Sequence, residues 1–546
     1  MDTLLKYYRK TELFFGNLKF AVIIIALFAV ALAFGTFMES YHGTDYANRL
    51  VYKSIPFMAL QLMMFLSILF ATLLRLPPKK HLYGFYTIHA GLITLFIGSF
   101  ITYKAGVDGT MTLAPNLATR EIVLNNDLLK IQYPQDGKEV TVDLPYTPFE
   151  KNLNLEYENI KIGRYLPFAD QELTWIKSEN QDNERDHSSR YRLYNDNFGE
   201  EMTLSLNPNS DFQNTMQLGL LNVHYMPDVL ASCFGENYPE GLIIWDVEEG
   251  KCNSPSQKNI KKTKALTGKN LFEINFDEKT LRFFPEMSPL PLDEKMQLIQ
   301  TSPYRILSKK LFEKNPHLFL FGKQLAYFDK DSQQWSTHAI EDGKAVDLPW
   351  MGFRIEVLEH KENMYPTLAP NYIKPIQENS QIIRGDLKAI EIEIDKQKFW
   401  VKSNEPIAYT KDGGRIQFEL TKKSITLPYE IVLDQFKMDN DPGTNNPASY
   451  ESFISLFKGN AGTTKHHVYM NNPLKHDNFT FYQASYFQTN AGPYGSVLSV
   501  NFDPGRFWKY LGSLLLVLGS IWHYVLRRSH LKKKGADDAQ DKLFTF

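Results

Sequence analysis

Four stretches of the chain, Phe20 to Met38, Pro56 to Leu74, Leu82 to Tyr103 and Tyr510 to Leu526, are apolar and nearly free of charge. At about 1.5 Å of rise per residue each can cross a bilayer core as a helix, the last being entered near 507. Between the third and fourth stretches the pattern changes. Ala389 to Asp395 (AIEIEID) alternates apolar and charged positions, as do Phe353 to Val357, Arg415 to Leu420 and Val497 to Phe502. Period two predicts strands with one buried face. Asp342-Gly343, Asp412-Gly413-Gly414 and Gly459-Asn460-Ala461-Gly462 supply turn chemistry between strands. The expected fold is an α-helical membrane bundle of four transmembrane helices with a large extracytoplasmic all-β domain, about 104–506, inserted between helices 3 and 4. The Pro-rich stretch from Pro285 to Pro316 is the expected boundary between two lobes of that domain.

Charge sets the expected orientation. Lys6, Arg9, Lys10 and Lys19 precede the first span, Arg75, Lys79 and Lys80 separate the second from the third, and Arg527, Arg528, Lys532, Lys533 and Lys534 follow the fourth. The connection from Glu39 to Ile55 is charge-balanced. The positive-inside rule therefore places both termini in the cytoplasm, 1–19 as a leading segment and 527–546 as a basic tail, and parity puts the β domain outside. The only small-residue cleavage pattern, Ala31-Leu32-Ala33, lies inside the first apolar run, so that run reads as an uncleaved anchor. A formal net charge of −2 gives no bulk electrostatics for nucleic acid.

His89 is the strongly polar, ionisable side chain within the third span. Such a group inside hydrocarbon needs a partner, either a neighbouring helix or something it binds or transfers. A neutral imidazole offers a lone pair suited to haem iron, and the apolar macrocycle suits apolar helices. A proton relay would call for Asp or Glu in the spans, and they hold none. His523 lies near the cytoplasmic end of the fourth span beside Trp522 and Tyr524, where it is either a second ligand or part of an interfacial aromatic belt. Gly91 and Gly98, and likewise Gly512 and Gly519, are spaced to line one helix face and let helices approach closely.

Cys233 and Cys252 fall in the outer domain, where they form either a structural disulfide or a redox pair exchanging with client thiols. His466 and His467 are adjacent on an expected strand and point to opposite faces, which disfavours shared chelation. No nucleotide loop, nucleophile elbow or His-Glu-x-x-His motif occurs, so hydrolytic and nucleotide-driven chemistry has no basis in the chain.

Three motif-bearing regions then carry a likeness. Tyr86 to Met111 (YTIHAGLITLFIGSFITYKAGVDGTM), Asn471 to Gly512 with its YQASYF strand and DPGRFWKYLG entry, and Gly35 to Tyr52 (GTFMESYHGTDYANRLVY) resemble the ResB/CcsB (Ccs1) family, membrane subunits of System II cytochrome c biogenesis. The resemblance implies a multi-pass protein of the bacterial inner membrane with a periplasmic domain. It implies that His89 is an axial ligand of haem b, shared with a CcsA/ResC-like membrane protein that supplies the second ligand. Implied clients and partners are apocytochrome c, a thioredoxin-like thiol reductant and membrane lipid. The implied role is a non-catalytic or co-catalytic subunit of a cytochrome c haem lyase complex, with no catalytic residue of its own. The competing expectation is a cofactor-free, membrane-anchored β-rich assembly module in which His89 only packs.

Overall fold

The computed structural model describes residues 2–543 apart from 136, 179–186, 254, 266–267, 277–278, 380, 412–413, 444–446, 459–461 and 490–491. The helices are α1 (Asp2–Phe15), α2 (Leu18–His42), α3 (Thr44–Ala47), α4 (Ile55–Leu73), α5 (Tyr83–Ala105), α6 (Val229–Phe234) and α7 (Arg506–Leu543). Four of them, α2, α4, α5 and the first part of α7, are long and apolar enough to cross a membrane. α2 starts where the Asn17 side chain accepts from the Lys19 N–H, and α4 where Ser54 accepts from Phe57 with Pro56 in the first turn. The leading segment is thus helical, and α7 runs on past the apolar stretch into the basic tail.

α5 and α7 are antiparallel along a seam of glycines. A Cβ on Gly91 would stand 2.7 Å from the Gly512 carbonyl oxygen, and one on Gly98 would stand 3.0 Å from that of Gly505. Near the other end, a Cβ on Gly84 would meet the His523 backbone, and one on Gly519 would stand 2.7 Å from the Ile88 nitrogen. Only hydrogen at these positions lets the two backbones touch. The heptad-spaced glycines therefore do pack within a bundle, and Gly84 and Gly505 extend the seam one step at each end.

In chain order the strands run from Val107 to Phe502, after α5 and before α7. The chain divides into two compact units, residues 1–170 with 370–546, and residues 171–369. The Pro285 to Pro316 stretch lies inside the second unit, where it holds strands Pro291–Leu292 and Tyr304–Ser308, so it is not where the chain divides. The two crossings fall in strands instead: Ile160–Lys177 leads out of the first unit and Met364–Tyr372 leads back. The prolines and glycine of these two strands, Gly163, Pro167, Pro366 and Pro370, sit inside continuous strands rather than in a linker, so the longer Pro-rich stretch drew the boundary to the wrong place.

The first unit holds a ten-stranded sheet. Its central order is Pro447–Phe457, Gly414–Asn440, Ala118–Tyr133, Val107–Leu113, Tyr494–Phe502, Phe479–Gln488. Val107–Leu113, which follows α5 directly, pairs antiparallel with Tyr494–Phe502, which leads into α7. The two apolar helices are thus tied at the sheet as well as along their seam. Met111, Ile122, Ile431, Ile454, Phe481 and Leu498 fill one core of this unit, and Ile131, Ile160, Tyr165, Ile390, Ile392 and Phe418 another. The four alternating segments read from the sequence all lie in strands, including Leu387–Ile394 and the 27-residue Gly414–Asn440. Asp342-Gly343 is a turn with Gly343 at φ 73°. Two other turn signals, 412–413 and 459–461, lie outside the described residues.

The second unit is built of smaller sheets around cores that include Tyr191, Val223, Leu320 and Ile355, and Phe234, Trp245 and Phe319. α6 lies in the latter core, so the domain is β-rich with one short helix rather than all-β.

Candidate functional site

His89 stands under two turns into α5. Its Nδ1 is 3.0 Å from the Phe85 carbonyl oxygen, and a carbonyl can only accept, so Nδ1 carries the proton. The neutral ring then keeps its lone pair on Nε2, for which no hydrogen bond is found among the described residues. The Phe85 ring lies against the imidazole with centroids 3.8 Å apart, and the Arg75 guanidinium covers Phe85 at 4.6 Å. The Tyr86 hydroxyl donates to the Arg75 carbonyl. His89 is thus held in one tautomer and braced from the loop between α4 and α5. What it offers chemically is one orientable imidazole nitrogen in apolar surroundings, the donor that a haem iron takes.

The direction of that nitrogen follows from the helix. Gly84, Ile88, Gly91 and Gly98 face α7, and at about 100° per residue His89 lies roughly 140° around α5 from that seam. It shares instead the side of Phe96 and Phe100, which pack on Phe65 of α4 at 6.2 and 6.0 Å. His523, by contrast, sits in the seam, its backbone against Gly84. Its Nδ1 is buried without a hydrogen-bond partner, and its neighbour Trp522 makes an edge contact with Tyr83 at 6.1 Å. The structure therefore puts both histidines at the same end of α5 but on different faces. It does not bring them together as a facing pair.

Cys233 and Cys252 are joined as a disulfide with Cα atoms 6.3 Å apart. Cys233 is 1% exposed within the core of Trp245 and Phe319, which leaves no room for an attacking client thiol at that sulfur. His466 and His467 have separate environments. His467 stacks on Phe453 at 4.3 Å and pairs with Glu451 at 2.8 Å, while His466 meets Thr464 at 3.0 Å. Among the described residues no group of three His, Cys, Asp or Glu side chains could hold a metal ion.

Sequence reasoning missed a buried charge cluster where the α2 to α4 connection meets the β strands. Arg49 contacts Asp45 at 3.1 Å and Asp127 at 2.7 Å, Lys388 reaches Asp127 at 2.8 Å, and the Tyr165 hydroxyl donates to Asp127 at 2.5 Å. The Arg49 side chain is fully buried and also lies 4.5 Å over the Tyr146 ring. Burial by itself raises the Asp127 carboxyl, but Lys388 and Arg49 outweigh it and hold the group below the usual carboxylate range. Beside the cluster His42 Nδ1 donates to the Pro375 carbonyl at 2.6 Å, and the Gln377 amide donates to the Ser40 carbonyl at 3.3 Å. The segment from Gly35 to Tyr52 carried the family likeness, but its balanced charge concealed that its arginine closes on partners 78 and more residues away.

Comparison with known proteins bears on this same unit. Residues 398–495 match the model of the ResB-like family. Protein NrfI of Wolinella succinogenes is 32% identical over 113 residues, a stretch that covers 20% of this chain and 12% of that protein. Over these stretches the chain is similar to the ResB-like family and to NrfI, in line with the likeness carried by the sequence motifs. The matched family stretch begins in strand Gln397–Lys402 and takes in the YQASYF strand at Phe479–Gln488.

Proposed function

We propose that this chain is the ResB-like subunit of a System II cytochrome c synthase and that it helps to carry haem across the membrane for attachment to apocytochrome c. The match of residues 398–495 to the ResB-like family carries the reading. The geometry of His89 supports its chemical part. In this reading α2, α4, α5 and α7 span the bacterial inner membrane with both termini cytoplasmic, and the β-rich part is periplasmic.

His89 holds haem iron through Nε2, its Nδ1–H being engaged by Phe85. Bound haem supplies the vinyl groups to which the paired thiols of the apocytochrome add. The chain's own residues bind and orient rather than catalyse. Because His523 sits in the α5–α7 seam and His89 points away from it, a CcsA/ResC-like partner would supply the other side chain that holds the iron. The Arg49 cluster fixes the first periplasmic connection against β strands of the first unit. A thioredoxin-like reductant would keep the client thiols reduced, and the disulfide of this chain, with Cys233 buried and Cys252 partly exposed, serves the fold.

Co-expression with a CcsA/ResC-like partner and an apocytochrome c tests this. Covalent haem, read by haem-dependent peroxidase staining of the denatured cytochrome, is expected only when both membrane proteins are present. Equal staining without this chain would refute the proposal.

A further inference from the structure

A second feature lies at the head of α7, away from His89. The strands Leu474–His476, Phe479–Gln488 and Tyr494–Phe502 and the first turn of α7 enclose an open cleft of about 700 Å³. Its two acidic neighbours have their own partners: Asp503 pairs with Lys509 at 2.6 Å, and Asp477 with Lys458 at 3.4 Å. Two cations in the lining, Arg506 and Lys475, form no ion pair among the described residues, so that Lys458, Lys475, Arg506 and Lys509 together outnumber Asp477 and Asp503. Arg506 donates to Thr480 Oγ1 at 3.1 Å and Asn501 Oδ1 at 2.9 Å with its charge also felt by Asp503, and Lys475 is exposed. The buried His476 Nε2 lies 3.7 Å from the Asp477 carboxylate and is closed to the cleft. The cleft thus holds surplus positive charge with hydrogen-bond donors to spare.

The opposite wall is aromatic. Phe507 and Tyr510 line the cleft and are 67% and 71% exposed, and below them the outward side chains of α7 are Leu514, Val517 and Ile521. A donor-rich, cationic cleft opening onto the apolar face of a helix fits an amphiphile whose anionic head is polar and whose tail is hydrocarbon. A free anion would use the cations but not the aromatic wall.

We infer that this cleft binds the phosphate of an anionic phospholipid, through Lys475 and Arg506, with the acyl chains lying along Phe507, Tyr510 and the outer face of α7. The inference rests on the reading of α7 as a membrane span. It assigns the protein a lipid site at the boundary between its β sheet and its last span.

The test uses the full chain purified in detergent and native mass spectrometry with phosphatidylglycerol or phosphatidylcholine added at equal concentration. One phosphatidylglycerol should be retained in preference to phosphatidylcholine, and millimolar inorganic phosphate should not displace it. Lys475→Gln should weaken retention about fivefold, and Lys475→Gln with Arg506→Gln by more than about tenfold, as expected for surface charges near lipid phosphates. Lys475 is exposed, so the single variant reports on binding even if the double variant fails to fold. Equal retention of the two lipids, indifference to Lys475→Gln, or displacement by inorganic phosphate would each overturn the lipid site. Carbonate-resistant co-sedimentation with vesicles checks the span separately. A chain that fails to sediment loses both readings, whereas one that sediments without preferring phosphatidylglycerol loses only this one.

Discussion

Asp127 shows at the scale of one residue how an acidic side chain can be both buried and indispensable. It is 3% exposed and faces Arg49, Lys388 and the Tyr165 hydroxyl. Replacing it by Ala leaves Arg49 and Lys388 with the partly exposed Asp45 as their remaining shared counter-ion, which should cost about 3 kcal/mol of stability in chemical denaturation. Because its folded pKa lies below the unfolded value, its contribution is present above that unfolded value and is lost as pH falls through the folded one. His224 acts in the same pH sense but through the opposite charge state, the fold favouring its neutral form. Burial, reinforced by His317 at 2.9 Å, lowers it to about 4. The fold therefore favours the neutral ring, and stability declines as pH drops from about 6.5 towards 4. In His224→Phe that decline should be shallower than in the wild type when unfolding is followed across the same pH range. An unchanged slope would show that His224 is not the group responsible.

At the scale of elements, the seam between α5 and α7 is set by glycine alone. Gly91→Ala places a Cβ 2.7 Å from both the Gly512 carbonyl oxygen and the Leu516 nitrogen, both of them backbone atoms that cannot rotate away. The helices must separate, and a loss of about 1–3 kcal/mol is expected, read as a lower melting temperature in detergent. The seam was half legible in the sequence: the seven-residue spacing of Gly91 with Gly98 and of Gly512 with Gly519 predicted a packing face, but not that the two faces meet each other. The apolar helices and the alternating strands were legible for the same reason, since each follows from a local period. What escaped were features made by distant partners. The approach of Arg49 to Asp127 and Lys388 has no local period. Nor does a unit boundary that passes through the continuous strand Ile160–Lys177. His89 could be picked out as a polar ring in an apolar run. Its tautomer and its direction, about 140° from the seam, needed the neighbours Phe85 and Gly91 in place.

At the scale of the whole chain, the disulfide and the cluster act as separate fasteners in separate units. Cys233 and Cys252 close a short loop in the second unit, and replacing both by Ser should lower the stability of the oxidised protein by about 3 kcal/mol. Cytochrome c maturation should persist in that variant under conditions where it still folds, as a structural bond requires. Loss of maturation with folding intact would restore the redox-pair reading. The first unit carries the four apolar helices, the Arg49 cluster, His89 and the whole of the ResB-like match, so the proposed function resides there.

The central claim is that Nε2 of His89 is a ligand to haem iron. Its most direct test is the visible absorption spectrum of the full chain purified with its CcsA/ResC-like partner. The wild type should show a b-type haem spectrum, His89→Ala should lose or weaken it, and added imidazole should restore it by filling the vacated position. A His89→Ala complex that keeps the wild-type haem content and spectrum without imidazole would contradict the assignment.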